Sequence, residues 1–292
     1  MDYICNDCPR QCNILRTDSK GSGFCKSPYL PVIARAAPHF GEEPCISGTK
    51  GSGAIFFSGC NLACKFCQNG EISHKLKGKQ VDLNALVEIM LSLQDMGVHN
   101  INLVTPTHYS RVIAEALRKA RLKIPVVWNS SGYEKIETLK LLDGLVDIYM
   151  PDFKYYDSTI AQDLSQCPNY AKYAKDALSE MFRQVGKYKY NNNGMLYRGV
   201  LVRHLILPGE VENSMNVIDF IADTYKDNVL FSLMSQYTPL GNPGEKYMRR
   251  ISDEENEMLI HYMKFRQLTG FCQDITSATS DLIPEFNYTG VK

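Results

Sequence analysis

Residues 53–67 read GAIFFSGCNLACKFC, a short apolar run followed at once by three closely spaced cysteines. The apolar residues 54–57 have the length and continuous hydrophobicity of a buried parallel strand. Cys60, Cys64 and Cys67 follow on the next loop in a Cys-x3-Cys-x2-Cys pattern. Thiolates suit the irons of an iron–sulfur cluster, and three of them on a four-iron cubane leave one iron open to a small molecule.

Beyond this loop, the sequence alternates short apolar runs with amphipathic stretches. Asp82 is placed to cap the first helix, and Ser252 and Glu255 have capping-box spacing at the start of the last one, which ends near Gly270. Six strands separated by helices predict a right-handed parallel α/β structure, either an incomplete barrel or an open sheet. The five strands after 54–57 are predicted at 101–104, 125–128, 145–150, 200–207 and 229–234. The helices before the last one are predicted at 83–97, 110–121, 134–143, 171–186 and 214–226.

Composition and charge exclude several classes of protein. The 292 residues carry 32 Lys and Arg against 32 Asp and Glu, so no excess positive charge is available for nucleic-acid phosphates. No apolar run approaches the roughly 20 residues that span a bilayer, and the N-terminal residues lack a secretory pattern. We therefore expect a cytoplasmic protein with no nucleic-acid or membrane partner.

A second group of cysteines lies near the N-terminus. Four of the ten cysteines fall at Cys5, Cys8, Cys12 and Cys25, in a Gly- and Pro-rich stretch, residues 1–50, that shows no regular period. Clustered thiols in a chain of this length are typical of metal sites, and thiolates accept either zinc or iron–sulfur clusters. The pattern leaves both open, for a structural zinc or an auxiliary cluster, with Cys45 a possible substitute ligand. At the first loop, zinc would need a further ligand such as His74.

The Cys60–Cys67 pattern after the first strand resembles the radical S-adenosylmethionine (SAM) superfamily, and the surrounding residues resemble its pyruvate formate-lyase activating enzyme-like branch. Further similar segments extend over nearly the whole chain, at residues 129–133, 150–154, 203–209 and 233–237. The resemblance implies a partial (β/α)6 TIM-type barrel with an N-terminal cysteine-rich cap. It divides the chain into a metal-binding cap (1–50), a radical SAM barrel (51–272) and a C-terminal extension (273–292).

The resemblance also implies an activity and its cofactors. Cys60, Cys64 and Cys67 would bind a [4Fe-4S] cluster, whose open iron would be chelated by SAM. Reductive cleavage of SAM would give a 5′-deoxyadenosyl radical that abstracts hydrogen, as in an oxidoreductase that activates a glycyl-radical enzyme. Reduced flavodoxin or ferredoxin would supply the electron. The alternatives are a radical SAM enzyme acting on a peptide or small metabolite, and a non-catalytic iron–sulfur or zinc module.

Candidate SAM-binding residues lie in the cysteine loop and at the strand ends. By resemblance, Phe66 packs near the adenine, Lys154 neutralises the methionyl carboxylate and Arg203 lies near the ribose, while His204 is structural. Asn129 and Ser131 are polar groups that have no packing reason to follow the apolar residues of the strand 125–128, and Ser235 and Gln236 are further candidates at the end of the sixth strand. The full set of candidates is Phe66, Thr105, Thr107, Asn129, Ser131, Asp152, Lys154, Arg203, Ser235 and Gln236.

One departure from the branch falls after the second strand. The activating enzymes carry a Gly-Gly-Glu motif there that receives the SAM amino group, but residues 103–109 of this chain read LVTPTHY. Thr105, Thr107 and His108 are the available acceptors, although Pro106 and Thr107 also suit a turn and a helix cap. The departure weakens the assignment to a glycyl-radical activator and has little bearing on SAM binding.

Overall fold

The computed structural model describes residues 3–273 and 284–291. A long sheet with the strand order β12-β11-β10-β8-β7-β6-β4-β3-β5 forms its centre, and β1 pairs only with β2. The strands are β1 (Tyr3–Cys5), β2 (Ile14–Arg16), β3 (Val32–His39), β4 (Ser52–Phe57), β5 (Lys79–Gln80), β6 (Ile101–Val104), β7 (Val126–Ser130), β8 (Ile148–Pro151), β9 (Lys189–Tyr190), β10 (Leu196–Leu205), β11 (Leu230–Met234) and β12 (Gly270–Cys272).

Helices connect most of the strands. The predicted N-cap is confirmed, since the Asp82 carboxylate accepts the Ala85 N–H at 2.8 Å, and so is the capping box of Ser252 and Glu255. The helices are α1 (Pro44–Ser47), α2 (Gly70–Ser73), α3 (Leu83–Asp95), α4 (Ser110–Ala120), α5 (Ile136–Leu139), α6 (Ser158–Ser165), α7 (Tyr170–Val185), α8 (Val211–Tyr225) and α9 (Asp253–Phe265).

The central sheet is mostly parallel, as the alternation of strands and helices predicts. β4, β6, β7, β8, β10 and β11 pair in parallel, and each crosses over to the next strand through a helical segment. Parallel strands bring their carboxyl ends to one edge, where ligands of α/β proteins bind. β4 ends at Phe57, so the cysteine loop begins at that edge. The architecture agrees with a partial barrel.

The two faces of the sheet bury different groups. Trp128 and Tyr149 pack against the surrounding helices, whereas Val127 and Ile148, the neighbouring residues in β7 and β8, pack on the other face. The short helix α1 covers this second face with its buried Cys45 and Ile46. Cys45 therefore lies in the sheet's apolar packing and does not join the N-terminal cysteines.

The prediction that residues 1–50 are loop-rich was wrong for Val32–His39. This segment forms β3, which pairs antiparallel with β4 on one side and with β5 on the other. Most of its residues are buried on both faces, so the sequence shows no alternation that would identify a strand. The division into cap, barrel and extension stays a prediction. Residues 274–283 and 292 of the predicted extension lie outside the described residues.

Other differences are local. The predicted helix 134–143 is only one turn, α5, followed by a 3-10 turn over Lys140–Leu142. The segment 187–197, between the predicted helix 171–186 and the predicted strand 200–207, contains β9, which pairs with β10 around an exposed Asn-rich turn. Helix α6 was missed, although Asp157 caps it with bonds to the Thr159 and Ile160 amides. Within the described residues, no helix combines the length and apolar character needed to cross a membrane.

Candidate active site and metal centres

One cavity lies at the carboxyl ends of the parallel strands. Its walls combine the cysteine loop, the ends of β6, β7, β8 and β10, and the loop after β11. The thiol, charged, polar and aromatic side chains that line it include Glu42, Cys60, Cys64, Phe66, Cys67, Thr105, Asn129, Ser131, Asp152, Lys154, Arg203, Gln236 and Tyr237.

The three loop cysteines share this cavity. Burial, followed by the effect of Cys64, raises the pKa of Cys60 to about 12, and burial also raises the pKa of Cys67. Such thiols keep their protons until a metal displaces them. The sulfurs have hydrogen-bond partners, since Leu62 N donates to Cys60 Sγ at 3.3 Å and Ser73 Oγ lies 3.3 Å from Cys67 Sγ.

The donor set fits an iron–sulfur cluster bound by three cysteines. In the described residues, no three His, Cys, Asp or Glu side chains converge closely enough to hold a single metal ion. His74, the candidate fourth zinc ligand, is not among the lining residues. Three thiols that face a shared space without meeting at a point match the ligand set of a polynuclear cluster with one open position.

A network of charged groups forms another part of the cavity wall. Lys154 Nζ lies 2.6 Å from one oxygen of Asp152, and Arg203 Nε lies 3.1 Å from the other. Arg203 also reaches Glu42 at 2.9 Å and Asn129 at 2.6 Å. Burial opposes ionisation of Asp152, but Lys154 and Arg203 outweigh it and hold the pKa of Asp152 below its ordinary value. Two fixed positive charges therefore lie in a cavity shared with the thiols.

Glu42 is a cavity residue that the sequence reasoning missed. It follows β3, and its carboxylate accepts Arg203 Nη1 together with the side-chain amides of Asn102 and Asn129, at 2.9 and 3.1 Å. Its side chain is only 9% exposed, so all three partners act in a nearly water-free setting. No local signal identifies it, because Glu42 lies far from the other members of the network along the chain.

The aromatic and amide groups lie on the side of the cavity formed by the loop after β11. Phe66 and Tyr237 both line the cavity, with ring centroids 5.6 Å apart. Gln236 Oε1 is buried and has no hydrogen-bond partner among the described residues. A buried amide oxygen of this kind is a ready acceptor for a ligand N–H or O–H. Ser131 also lines the cavity, with its hydroxyl 3.4 Å from Asn61 Oδ1.

Two predicted site residues are engaged elsewhere. Thr107 is buried, and its hydroxyl donates to Glu134 at 2.9 Å instead of facing the cavity. Ser235 donates to Asn256 at 2.6 Å and to the Gln273 carbonyl at 3.2 Å, and it does not line the cavity either. Both predictions followed from position at a strand end, which does not fix where a side chain points.

Glu134 explains why Thr107 turns away. This fully buried carboxylate also accepts Trp128 Nε1 at 2.8 Å and Ser130 Oγ at 2.7 Å, so it joins the ends of β6 and β7 behind the cavity. Burial raises the pKa of Glu134 despite these hydrogen bonds. His108 is likewise occupied, with its ring 2.8 Å from the Ser58 carbonyl.

Thr105 remains at the place of the missing Gly-Gly-Glu motif. Its φ of +59° lies in the left-handed region, which a β-branched residue rarely adopts. It lines the cavity, and its amide is fixed by the Asn129 carbonyl at 2.9 Å. The chain therefore holds a strained backbone unit at the cavity wall.

The four N-terminal cysteines surround a second, smaller cavity. Cys5, Cys8, Cys12 and Cys25 all line it, and Asn61 of the cysteine loop completes one wall. The two groups of thiols therefore lie on opposite sides of the same loop.

Comparison with known proteins identifies the type of domain. A sequence model described as the radical SAM superfamily matches residues 54–221. An uncharacterized protein of Methanocaldococcus jannaschii is 30% identical over 267 residues, which cover 87% of this chain and 72% of that protein.

Two solved structures share the fold. A radical SAM methyltransferase from Sphaerobacter thermophilus has a TM-score of 0.53 at 13% identity, covering 78% of this chain and 69% of the methyltransferase. SuiB of Streptococcus suis has a TM-score of 0.50 at 15% identity, covering 76% of this chain. The match spans about half of SuiB, 49% of its chain. At these identities the likeness concerns the fold alone.

Proposed function

Because this chain belongs to the radical SAM superfamily, we propose that it binds a [4Fe-4S] cluster at Cys60, Cys64 and Cys67 and SAM in the adjoining cavity. The observation that carries the proposal is that the three thiols and the Asp152–Lys154–Arg203 network line one cavity. Together, the bound cluster and SAM supply a 5′-deoxyadenosyl radical, which abstracts hydrogen from a substrate.

The charged wall is suited to the methionyl end of SAM. Lys154 Nζ supplies the positive charge for the carboxylate, and Asp152 holds that ammonium in place at 2.6 Å. Glu42, Asn129 and Asp152 each accept one hydrogen bond from the Arg203 guanidinium and so orient it, which leaves part of its donor set for the ribose. At the β6 end, Thr105 supplies the acceptor for the amino group in place of a Gly-Gly-Glu motif.

The polar and aromatic groups on the other side of the cavity suit the nucleoside. Phe66 and Tyr237 offer apolar ring surface for the adenine, and Gln236 Oε1 offers an unpartnered acceptor for its amino group. Asn129 and Ser131 line the cavity at the end of β7 and would hydrogen-bond the ribose hydroxyls. These groups also shield the reacting centre from water.

We propose a backbone glycine of a partner protein as the hydrogen donor, with reduced flavodoxin or ferredoxin as the electron source. The support is the resemblance of residues 53–69 and 150–154 to the activating enzymes. The second candidate is a peptide or small-metabolite substrate, which is favoured by the LVTPTHY sequence in place of Gly-Gly-Glu. The four N-terminal cysteines are proposed to bind a second metal centre, either zinc or an auxiliary cluster.

The experiment is anaerobic reconstitution with iron and sulfide, chemical reduction and addition of SAM. We expect methionine and 5′-deoxyadenosine, measured by chromatography, with none from the matched Cys64→Ala variant. A fully loaded protein that cleaves no SAM would contradict the proposal and favour a non-catalytic metal module.

The substrate class is tested in the same reaction with deuterium-labelled lysate fractions. Deuterium from a protein fraction, with a glycyl-radical doublet in the electron paramagnetic resonance spectrum, would support the glycine donor. Deuterium from a peptide or metabolite fraction without that doublet would support the second candidate.

A further inference from the structure

The N-terminal cysteine site has a distinct construction that its spacing does not reveal. Cys5 ends β1, Cys8 and Cys12 lie in the loop between β1 and β2, and Cys25 lies in the segment after β2. Cys5, Cys8 and Cys25 are buried, and Cys12 is partly buried, around one enclosed space that Phe24 and Ile14 help to line. The walls thus combine four thiols with apolar groups and with polar side chains that include Arg16.

Two of these sulfurs already accept hydrogen bonds. Arg16 Nη2 donates to Cys25 Sγ at 2.9 Å, and the Phe24 amide donates to Cys12 Sγ at 3.4 Å. A neutral thiol is a poor acceptor, whereas a metal-bound thiolate accepts such bonds readily and is stabilised by them.

Arg16 gives an independent reason to place negative charge here. Its side chain is almost fully buried, at 3% exposure, and its other hydrogen bond goes to the His108 carbonyl at 2.5 Å. The Asp7 carboxylate lines the same cavity but pairs with Arg111 at 2.9 Å, and Arg16 Nε is buried without a hydrogen-bond partner among the described residues. A buried guanidinium that lacks an ion-pair partner of its own is costly unless a neighbouring group becomes negative.

A bound metal centre would supply the negative charge that Arg16 lacks. Four thiolates around such a centre leave a net negative charge beside the guanidinium.

We propose that Cys5, Cys8, Cys12 and Cys25 are the four ligands of a second, fully ligated iron–sulfur cluster, with Arg16 as its charge partner. Zinc would bring the four sulfurs to about 3.8 Å from one another, given Zn–S bonds of about 2.3 Å. The four thiols instead line one small enclosed cavity without converging on a single-ion site among the described residues. With four protein ligands, this cluster has no open iron for SAM.

The site is joined to the catalytic loop by short contacts. Arg10, between Cys8 and Cys12, donates to the Asn61 carbonyl at 2.8 Å and to the Ser165 carbonyl at 2.8 Å, while its guanidinium lies 3.8 Å from the Phe24 ring centroid. Gly59, with φ of +86°, packs so closely that a Cβ there would lie 2.2 Å from Ser27 Oγ. A cluster that orders the N-terminal segment therefore also supports the loop that carries Cys60.

The test uses the full-length protein with Cys60, Cys64 and Cys67 all changed to Ala, reconstituted anaerobically and analysed for iron, sulfide and zinc. Because this variant lacks the catalytic ligands, the result does not depend on SAM chemistry. We expect about four irons and four sulfides per chain and a visible charge-transfer absorption. Zinc alone, iron without sulfide, or no metal would overturn the proposal.

A second set of variants covers the case in which the triple variant fails to fold. The otherwise unchanged protein should hold about eight irons, and the variant with Cys5, Cys8, Cys12 and Cys25 changed to Ala about four. Equal iron in the two proteins would contradict the proposal even if both cleave SAM.

Arg16 is tested by the midpoint potential of the N-terminal cluster. Arg16→Gln removes the adjacent positive charge and should shift that potential to more negative values, while Arg16→Lys should restore most of it. The matched control is Arg118→Gln, since Arg118 is an exposed arginine on α4 that bonds the Leu141 carbonyl and does not line the four-cysteine cavity. An unchanged potential in Arg16→Gln, or an equal shift in Arg118→Gln, would remove Arg16 from this role.

Discussion

The two groups of cysteines lie on either side of one loop but differ in construction. Cys60, Cys64 and Cys67 line the larger of the two cavities together with a network of charged side chains, whereas the four N-terminal thiols line a small enclosed cavity with the buried Arg16. If both groups bind iron–sulfur clusters as proposed, three ligands would leave one iron for a cosubstrate and four would not. The number of ligands and the space beside them would then distinguish the proposed catalytic centre from the proposed supporting one.

The largest effect is expected from Cys64→Ala. Loss of one of three ligands should abolish SAM cleavage to below detection and remove about four irons, while the N-terminal iron and sulfide remain. Iron analysis and deoxyadenosine formation measure the two parts separately. The control is Cys272→Ala, which removes an exposed cysteine outside both groups and should change neither. Loss of iron from both sites in Cys64→Ala would show that they do not assemble independently.

Lys154→Ala tests the role of the charged network in SAM binding while leaving the three cysteines of the loop unchanged. Losing a charge-assisted hydrogen bond worth about 1.5–3 kcal/mol should raise the SAM dissociation constant roughly ten- to hundredfold at unchanged iron content. Equilibrium binding to the reconstituted protein measures it. Lys65→Ala is the matched control, because Lys65 lies in the cysteine loop itself but pairs with Asp163 at the surface. Equal affinity in the two variants would remove Lys154 from the site.

His204, a buried histidine in β10, should make the free energy of unfolding depend on pH. Its ring is fixed by the Phe153 carbonyl at 2.6 Å and Ser214 at 2.9 Å, and burial lowers the pKa of His204 from 6.5 to about 4. Below pH 6.5 the His204 side chain binds a proton in the unfolded chain but stays neutral in the folded protein. The contribution of His204 to the free energy of unfolding is therefore complete at neutral pH and is lost as the pH falls toward 4.

The expected slope is up to about 1.4 kcal/mol of unfolding free energy per pH unit from this one residue. Urea unfolding of the metal-free protein between pH 7 and pH 4.5 measures it, and His204→Gln should reduce the slope. His261→Gln, which changes an exposed histidine on α9, should keep it. An undiminished slope in His204→Gln would contradict the assignment.

The smallest effect is expected at a position remote from both cysteine groups. Asp82→Ala removes the N-cap of α3 and should lower the unfolding free energy by about 1 kcal/mol, with iron content and SAM affinity unchanged. Thermal unfolding should show a midpoint lower by about 2–4 °C. A change in iron content would mean that this helix supports one of the metal sites.

Local patterns in the sequence predicted much of this protein. Continuous apolar runs identified the central parallel strands, and Asp82 and Ser252 marked helix starts that the structure confirms. The spacing of Cys60, Cys64 and Cys67 identified the superfamily that the sequence comparison confirms. Each of these features depends on residues within one turn or one strand of each other, so the chain displays them without reference to its folded shape.

Contacts between distant parts of the chain decided the rest. Glu42 enters the cavity through bonds to Asn102, Asn129 and Arg203, and Thr107 leaves it for Glu134. Arg16 becomes a buried charge only when the segment around it packs against His108. Which polar group a side chain meets, and whether water remains beside it, follows from packing over distances that no local pattern of residue types encodes.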